Sequence, residues 1–245
     1  MAGSGSVGLP GPESSGMASA PAREPAPGSA GSPAPASVAA VVLVGGRARR
    51  MGGAAKHLLA LGGSTPWDRT RAALAERGIT PVVAVGDAPE RGASDAGPEG
   101  EVLSWVREEP PFGGPVAALA AALARPELAG VAEFLLLAGD LARPEAVIAR
   151  LAEADLTADP VDAVAFRADG QPQWLAGRYR AAAVRDALAA LDRVDGASCR
   201  ALLGGLPIRW VPDEDGTTAD IDTPDDLERA RAEVAGSAPR SEESS

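Results

Sequence analysis

Residues 38–44 are a continuous apolar run that ends at a pair of glycines. A run of this length without polar alternation is typical of a parallel strand that is buried on both faces. A second run of the same kind, residues 134–138, ends at Gly139. Because such strands need helices on both faces of their sheet, the two runs together predict an α/β fold.

The segments around these runs alternate between strand and helix patterns. Further strands are predicted at residues 81–86, 102–106, 161–167, 174–179 and 208–211. Helices are predicted from Pro66 to a stop at Gly78, at residues 115–124, at residues 196–204, and from Pro224 to about Val234. The turn pair Asp169-Gly170 favours a β-hairpin. We therefore expect a Rossmann-like three-layer α/β/α sandwich, in which a mostly parallel sheet carries an added β-hairpin.

Both ends of the chain differ in composition from its middle. Of the first 36 residues, 29 are Ala, Gly, Pro or Ser, so residues 1–36 offer almost nothing to a hydrophobic core and are predicted to be disordered. Residues 236–245 are polar and lack apolar periodicity, which predicts a disordered tail. The remaining residues, 37–235, are enough for one domain.

Net charge and cysteine content exclude several classes of protein. With a formal net charge of −11 at pH 7, the chain lacks the positive charge that nucleic acids and anionic membranes attract. The single cysteine, Cys199, cannot form an internal disulfide, and no paired Cys or His spacing suggests zinc. No segment has the roughly eighteen apolar residues of a spanning helix, and no secretory signal pattern is present. We expect a cytoplasmic protein with no nucleic-acid or membrane partner.

Residues 43–56, which follow the first strand, have the composition of a phosphate-binding loop. Gly45 and Gly46 let the backbone come close to a ligand, and Arg50 and Lys56 can neutralise phosphate oxygens. The segment lacks the Ser or Thr that follows the lysine of a Walker loop, and it lacks the spaced glycines of a dinucleotide fingerprint. An ordinary glycine turn with solvent-exposed arginines is the alternative interpretation.

Carboxylates occur at two other informative places. Asp140 follows the strand at residues 134–138, where the carboxyl ends of parallel strands meet and Mg²⁺ can be held against phosphate oxygens. Asp220 and Asp222 alternate on an extended stretch, so they point the same way and one or both can reach that ion. We take Asp222 as the second ligand. The alternatives are a turn or capping role for Asp140 and a helix-capping role for Asp222.

Two further positions draw attention. Asp87 follows the strand at residues 81–86, where a nucleobase could be contacted. His57 is the only histidine, and beside Lys56 we expect it at the surface or at the start of a helix rather than in catalysis.

In their order along the chain, these segments resemble the motifs of molybdenum cofactor guanylyltransferases and related nucleotidyltransferases. The first motif of that family is roughly L-A-G-G-x-S/A-x-R-M-G-x-D-K, and the chain matches it at Leu43, Gly45, Gly46, Ala48, Arg50, Met51, Gly52 and Lys56. Val44 replaces the usual alanine of this motif, and Ala55 replaces the aspartate beside the lysine.

Later segments of the chain continue the resemblance. Asp140 corresponds to the aspartate of a D-x-P motif, with Ala142 in place of the proline. Residues 220–224 resemble a D-x-D-T-P motif, and Gly114 and Pro115 match a G-P-L-A-G loop that lets a helix N-terminus approach the nucleotide. The segment from Gln171 to Tyr179 resembles a Q-P-L-x-x-x-Y motif that helps to line the acceptor pocket.

The resemblance implies an enzyme that transfers GMP from GTP to a phosphorylated acceptor, the molybdopterin cofactor being the favoured one, and releases pyrophosphate. It implies Mg²⁺ on Asp140 and Asp222, with Lys56 and Arg50 in catalysis. The positions that would bind the nucleotide are Leu43, Val44, Gly45, Gly46, Asp87, Gly114 and Pro115. Proteins that deliver the molybdenum cofactor are then candidate partners. The alternatives are a cytidylyltransferase, an NTP transferase for another phosphorylated small molecule, and a non-catalytic nucleotide-binding module.

Overall fold

Strands and helices alternate along the chain as predicted. The computed structural model describes residues 38–44, 56–88, 101–157 and 160–237. The strands are β1 (Val38–Leu43), β2 (Val82–Val85), β3 (Leu103–Val106), β4 (Glu133–Ala138), β5 (Ala163–Ala168), β6 (Gln171–Arg180) and β7 (Ile208–Pro212). The helices are α1 (Pro66–Glu76), α2 (Pro115–Leu123), α3 (Pro144–Ala152), α4 (Ala181–Ala189), α5 (Cys199–Leu203) and α6 (Pro224–Ser237), and short 3₁₀ turns cover Lys56–Leu58 and Pro126–Leu128.

Some of the predictions concern residues outside those ranges. They are the disorder of residues 1–36, the glycine-loop positions between residues 45 and 55, and nearly all of the tail at residues 236–245. The last helix, α6, runs to Ser237 and so continues three residues beyond its predicted end.

All seven strands belong to one sheet with the order β3-β2-β1-β4-β6-β5-β7. Neighbouring strands are parallel except for β6, which is antiparallel to β4 on one side and to β5 on the other. The hairpin of β5 and β6 is therefore confirmed, and it turns at Asp169 and Gly170, which both have positive φ. The carboxyl ends of the six parallel strands all lie at one edge of the sheet, which we call the carboxyl edge.

Helices cover both faces of the sheet because its central strands are apolar on both sides. In β1, Ala39 and Val41 face a core that includes residues of α2, α4 and α5. The alternate residues, Ala40 and Val42, face a second core that includes residues of α1 and α3. The expected three-layer α/β/α sandwich is confirmed.

Two helices were missing from the sequence prediction. The first, α3, begins at Pro144 with an acidic residue in its first turn and Arg150 in its last, which are ordinary helix signals. The second, α4, has no side-chain cap at its N-terminus and buries only Ala181 and Val184, so its apolar face is weakly marked in the sequence. Within the described residues, no helix is both long and apolar enough to cross a membrane.

The edge of the sheet opposite the carboxyl edge is fixed by a buried ion pair. Arg178 donates from Nε to Glu133 at 2.7 Å, and its Nη1 donates to the carbonyl oxygens of Ala152 and Ala154 at 3.0 and 2.7 Å. These bonds satisfy carbonyls at the end of α3 that lack partners within the helix. The pair therefore connects α3 to β4 and β6 far from the carboxyl edge.

Gly177 in β6 gives a test of the packing. A Cβ atom at this position would lie 2.6 Å from Cε2 and 2.8 Å from the hydroxyl oxygen of Tyr179, whose ring is fully buried and stacked on Phe134. Because that ring cannot move without displacing the core, Gly177→Ala should lower the free energy of unfolding by about 1–3 kcal/mol in urea denaturation. The control is Gly130→Ala, since a Cβ there meets nothing within 4 Å. Equal stability of the two variants would contradict this packing.

Candidate active site

Three segments that are distant in the sequence bring charged side chains together at the carboxyl edge. Asp140 follows β4, Lys56 begins the 3₁₀ turn after the first strand, and Asp222 lies just before α6. The segment before α6 pairs with the chain after β4: Ile221 N donates to Asp140 O at 2.9 Å, and Ala142 N donates to Ala219 O at 2.9 Å. This short antiparallel pairing places Asp222 beside Asp140.

The ammonium of Lys56 lies between the two carboxylates. Its Nζ is 3.3 Å from Oδ2 of Asp140, and it also donates a short hydrogen bond to Oδ1 of Asp222. Because both carboxylates contact the same nitrogen, their nearest oxygens lie within about 6 Å of each other. Lys56 is the only lysine among the 245 residues, so no other lysine could provide this contact.

The charges of the cluster act on its pKa values. Burial alone would lower the pKa of Lys56, but the hydrogen bond to Asp222 and the charge of Asp140 outweigh burial and leave the pKa raised. Asp220 is exposed to solvent at its surface, but its carboxyl lies beside the charges of the cluster. Desolvation, followed by the charges of Asp140 and Asp222, raises the pKa of Asp220 to about 7. Negative charge thus exceeds positive charge here, which favours the binding of a further cation.

Asp222 is held in place from both sides. Ile221 is fully buried in a small core with Leu61, Leu227 and Ala230. On the other side, the Thr223 hydroxyl accepts from Asp226 N at 3.2 Å, while Asp226 Oδ2 accepts from Thr223 N at 2.7 Å. Since Thr223 and Asp226 form this capping box, the Asp222 carboxylate remains available for Lys56, and the helix-capping alternative for Asp222 is wrong.

The loop after Asp140 has a brace that sequence reasoning missed. Arg69, on α1, donates to both carboxylate oxygens of Glu145 at 2.6 and 2.8 Å and to the carbonyl oxygen of Ala142 at 2.9 Å. Ala142 stands where the resembled family has a proline, and the bidentate arginine restrains the same stretch of backbone. In the sequence, Arg69 is one of several polar residues of a predicted helix, and nothing there indicates that it restrains a distant loop.

The predicted nucleotide-binding positions fall into two groups. Leu43 and Val44 are buried at the end of β1, next to Gly139, where an added Cβ would lie 2.8 Å from Cγ1 of Val44. Gly45, Gly46 and Arg50 lie outside the described residues, so their roles stay predictions.

The second group surrounds the N-terminus of α2. Pro115 is the first residue of that helix, and Gly114 before it has φ 91°, which favours glycine. Asp87 is exposed after β2 and forms an ion pair of 2.8 Å with Arg107, which follows β3. Arg107 was not predicted, although a charged residue directly after a strand is the same signal that singled out Asp87.

Two side chains that drew attention in the sequence are buried. His57 was expected at the surface or at the start of a helix; it lies in the 3₁₀ turn Lys56–Leu58 but is buried, and among the described residues its Nε2 has no hydrogen-bond partner. Burial lowers the pKa of His57, while the nearby charges of Asp140 and Asp87 act in the opposite direction. Tyr179, which ends the segment predicted to help to line the acceptor pocket, is also fully buried, and its hydroxyl donates to Trp174 O at 2.8 Å, so its ring packs in the core.

Asp140 and Asp222 offer the oxygen ligands that a divalent cation prefers. Within the described residues, no group of three or more His, Cys, Asp or Glu side chains could hold a metal. Mg²⁺ typically takes one or two carboxylates and completes its shell with water and substrate phosphates. Two convergent carboxylates match that requirement.

Comparisons with known proteins identify the family and the fold. Residues 40–215 match the family model of the MobA-like NTP transferase domain. The molybdopterin-guanine dinucleotide biosynthesis protein A of Archaeoglobus fulgidus is similar in structure, with 23% identity, a TM-score of 0.56, and coverage of 81% of this chain and 100% of that chain. The 2-C-methyl-D-erythritol 4-phosphate cytidylyltransferase of Thermus thermophilus has 21% identity, a TM-score of 0.55 and coverage of 81% and 99%.

A third solved structure contains a metal. It is the complex of Rv0371C from Mycobacterium tuberculosis with manganese, with 19% identity, a TM-score of 0.52, and coverage of 80% of this chain and 98% of that chain. At these identities the similarity establishes a shared fold. No curated protein matches the chain.

Because the pKa of Asp220 is raised, replacing this carboxylate by a neutral side chain should raise the stability of the folded protein by an amount that depends on pH. Between about pH 4 and pH 7, the folded protein binds a proton that the unfolded chain has released, so this group makes stability fall as pH rises. In metal-free protein, Asp220→Asn should therefore raise the melting temperature at about pH 8 and leave it nearly unchanged at about pH 4. Asp192→Asn, which removes a charge on the surface elsewhere, is the control. A gain that does not depend on pH would contradict the assignment.

Proposed function

Because the chain belongs to the MobA-like NTP transferase family, we propose that it transfers a nucleoside monophosphate from an NTP to a phosphorylated small molecule and releases pyrophosphate. The observation that carries this proposal is the meeting of Lys56, Asp140 and Asp222 at the carboxyl edge. Ligands of parallel α/β sheets bind at this edge, and phosphoryl transfer needs clustered charge of this kind.

The proposed reaction is a substitution at the α-phosphorus. A terminal phosphate oxygen of the acceptor forms a bond to this phosphorus, while the bond from the α-phosphorus to the oxygen that bridges to the β-phosphate breaks. The electron pair of the broken bond leaves with pyrophosphate. No side chain has to act as a nucleophile, so the contribution of the protein is alignment and stabilisation of charge.

Asp140 and Asp222 are the residues that would hold Mg²⁺. Bound there, the ion would neutralise and orient oxygens of the α-phosphate. The proposal gains support from the excess of negative charge around these two carboxylates and from the position of their nearest oxygens within about 6 Å of each other, since one ion with ligand distances of about 2.1 Å would need only a modest closure to join them.

Lys56 provides a positive charge that can turn from the carboxylates towards the bound substrate. Its ammonium contacts both carboxylates, and a flexible four-carbon stem lets it turn towards an α-phosphate oxygen when a divalent cation takes over those contacts. There it would stabilise the charge that builds on the phosphate as the acceptor attacks. Arg50 and the backbone amides of Gly45 and Gly46 would hold the departing pyrophosphate.

The nucleoside would extend from Lys56 towards the N-terminus of α2. The backbone would contact it at four positions: Leu43, Val44, Gly114 and Pro115. Close approach is possible at the last two because Gly114 has no side chain and the side chain of Pro115 is a compact ring. The ion pair of Asp87 with Arg107 offers both an acceptor and donors to the edge of a base. Guanine and cytosine each present donors and acceptors that such a pair can meet.

GTP and the molybdopterin cofactor are the proposed substrates, with Mg²⁺ as the metal. The match to the MobA-like domain and the similarity to the Archaeoglobus protein support this choice. The similarity to a cytidylyltransferase keeps CTP as the second candidate. Under the same proposal the protein acts in the cytoplasm, and proteins that deliver the molybdenum cofactor would be its partners.

Each nucleotide can be tested separately for binding and for chemistry. We expect GTP with Mg²⁺ to raise the melting temperature more than the other NTPs do, because selective binding stabilises the folded state. We expect Mg²⁺-dependent release of pyrophosphate when molybdopterin is added. A larger response to CTP would reassign the base. Thermal stabilisation without pyrophosphate release, for any NTP and phosphorylated acceptor, would support a non-catalytic binding module instead.

Removal of the lysine charge tests the proposed chemistry. Lys56→Ala should lower turnover at least about a hundredfold, the scale of losing one preorganised group that stabilises charge, while the circular dichroism spectrum stays native. Arg77→Ala, which removes a positive charge at the end of α1 from a surface ion pair of 3.9 Å, should keep normal turnover. Full activity in a well-folded Lys56→Ala protein would rule out the assigned role.

A further inference from the structure

The segment between β7 and α6 is longer than its path requires. It leaves the sheet at β7, the outermost strand, and must reach Asp140 beyond β4, three strand spacings or about 14 Å away. The seven residue steps from Asp213 to Asp220 can span about 24 Å when extended. We call residues 213–222 the arch. The extra residues of the arch must form a turn if Asp222 is to lie beside Asp140 and Lys56.

The buried carboxylate of Asp213 holds these extra residues in a turn, which Arg143 also contacts from outside by donating to the carbonyl oxygen of Asp215. Oδ1 of Asp213 accepts from Thr217 N at 2.7 Å. Its Oδ2 accepts from Thr218 N at 2.9 Å and from the Thr218 hydroxyl at 2.6 Å. All three residues are buried, and Asp213 N donates to Arg167 O at the end of β5 at 2.9 Å. Asp213 therefore joins the last paired position of the sheet to the far side of the turn.

The part of the arch beyond the turn leads directly to the cluster. Ala219 and Ile221 make the backbone hydrogen bonds that pair this segment with the chain after β4. Thr218, which Asp213 holds by two bonds, directly precedes the first of them. The Asp213 turn thus supports, from its N-terminal end, the paired segment that places Asp222, and the capped start of α6 supports it from the other end.

We propose that Asp213 is a positioning residue that sets the affinity of the Asp140 and Asp222 pair for a divalent cation, through the geometry of the arch and without contact with the cation. This inference rests on the proposed function, because it concerns the same metal site. Without the Asp213 carboxylate, the turn loses its charge-assisted hydrogen bonds and the arch can adopt several conformations that differ in end-to-end distance. Asp222 then spends less time at the distance from Asp140 that one ion requires.

Two variants test the role of this carboxylate at different strengths. Asp213→Asn keeps the size of the side chain but replaces one accepting carboxylate oxygen by an NH₂ group. This group would face the N–H and hydroxyl donors of Thr217 and Thr218. Thr218→Val removes only the hydroxyl bond, and Thr218→Ser restores it. The matched control is Glu133→Gln, because Glu133 is another buried carboxylate with a charge-assisted bond, located at the opposite edge of the sheet.

The measured quantity is the Mg²⁺ concentration that gives half of the thermal stabilisation by the NTP to which the wild-type protein responds most. Asp213→Asn should raise it about tenfold or more, the usual effect of losing an outer support of a metal ligand. Thr218→Val should raise it less, and Thr218→Ser should return it to the wild-type value. Glu133→Gln should lower the melting temperature without changing the Mg²⁺ requirement.

The outcomes separate this inference from the proposed function. An unchanged Mg²⁺ requirement in both Asp213→Asn and Thr218→Val, with a normal wild-type response, would overturn the role of Asp213 alone. An equal rise in the Glu133→Gln protein would do the same, because general destabilisation would then explain the effect. A wild-type protein that no NTP stabilises in the presence of Mg²⁺ would overturn the proposed function and this inference together.

Discussion

Burial of β1 on both faces is the constraint on which the rest of the structure depends. Residues Ala39 to Val42 are completely inaccessible to solvent, so helices must cover the sheet from both sides and strands must pair on both edges of β1. A strand in that position directs its carboxyl end to the same edge as β4, its parallel neighbour. Lys56 and Asp140 come together because each lies beyond the carboxyl end of one of these two strands. The chemistry proposed for the protein is therefore a consequence of how β1 is packed.

The electrostatic arrangement of the cluster follows from the same geometry. Asp140, Asp220 and Asp222 approach one another at the carboxyl edge, and one ammonium, that of Lys56, lies among them. Proximity of like charges is unfavourable unless further positive charge is supplied, and under the proposed function a divalent cation that arrives with an NTP would supply it. Stability of the folded protein and binding of the substrate would then be linked through these carboxylates. The same carboxylates make the site dependent on the arch, since its path determines how far Asp222 lies from Asp140.

Sequence reasoning identified most of the elements, and its failures have physical causes. Strong local signals worked: the apolar runs predicted β1 and β4, and the proline and acidic residue after Thr223 predicted the start of α6. Helix α4 was missed because it lacks a side-chain cap and has a narrow apolar face. Contacts between distant segments, such as Arg69 with Ala142, leave no periodic pattern in a sequence and become visible only in the fold. The burial of His57 belongs to the same class, because neighbours along the chain do not reveal what a turn packs against. Convergence of Asp140 and Asp222 was predictable because Asp140 follows a buried strand and because both positions also matched motifs of a known family.

The unique lysine allows the central claim to be measured directly. In protein labelled with ¹³C only at lysine Cε, a two-dimensional NMR spectrum contains side-chain signals from Lys56 alone. If Lys56, Asp140 and Asp222 form a site for a metal and a nucleotide, addition of Mg²⁺ together with the preferred NTP will shift these signals until the site is saturated. Either component alone will produce a smaller change, and Asp140→Asn will weaken the response. Signals that keep their wild-type positions at saturating concentrations of Mg²⁺ and every NTP would contradict the account, since no nucleotide could then bind beside Lys56.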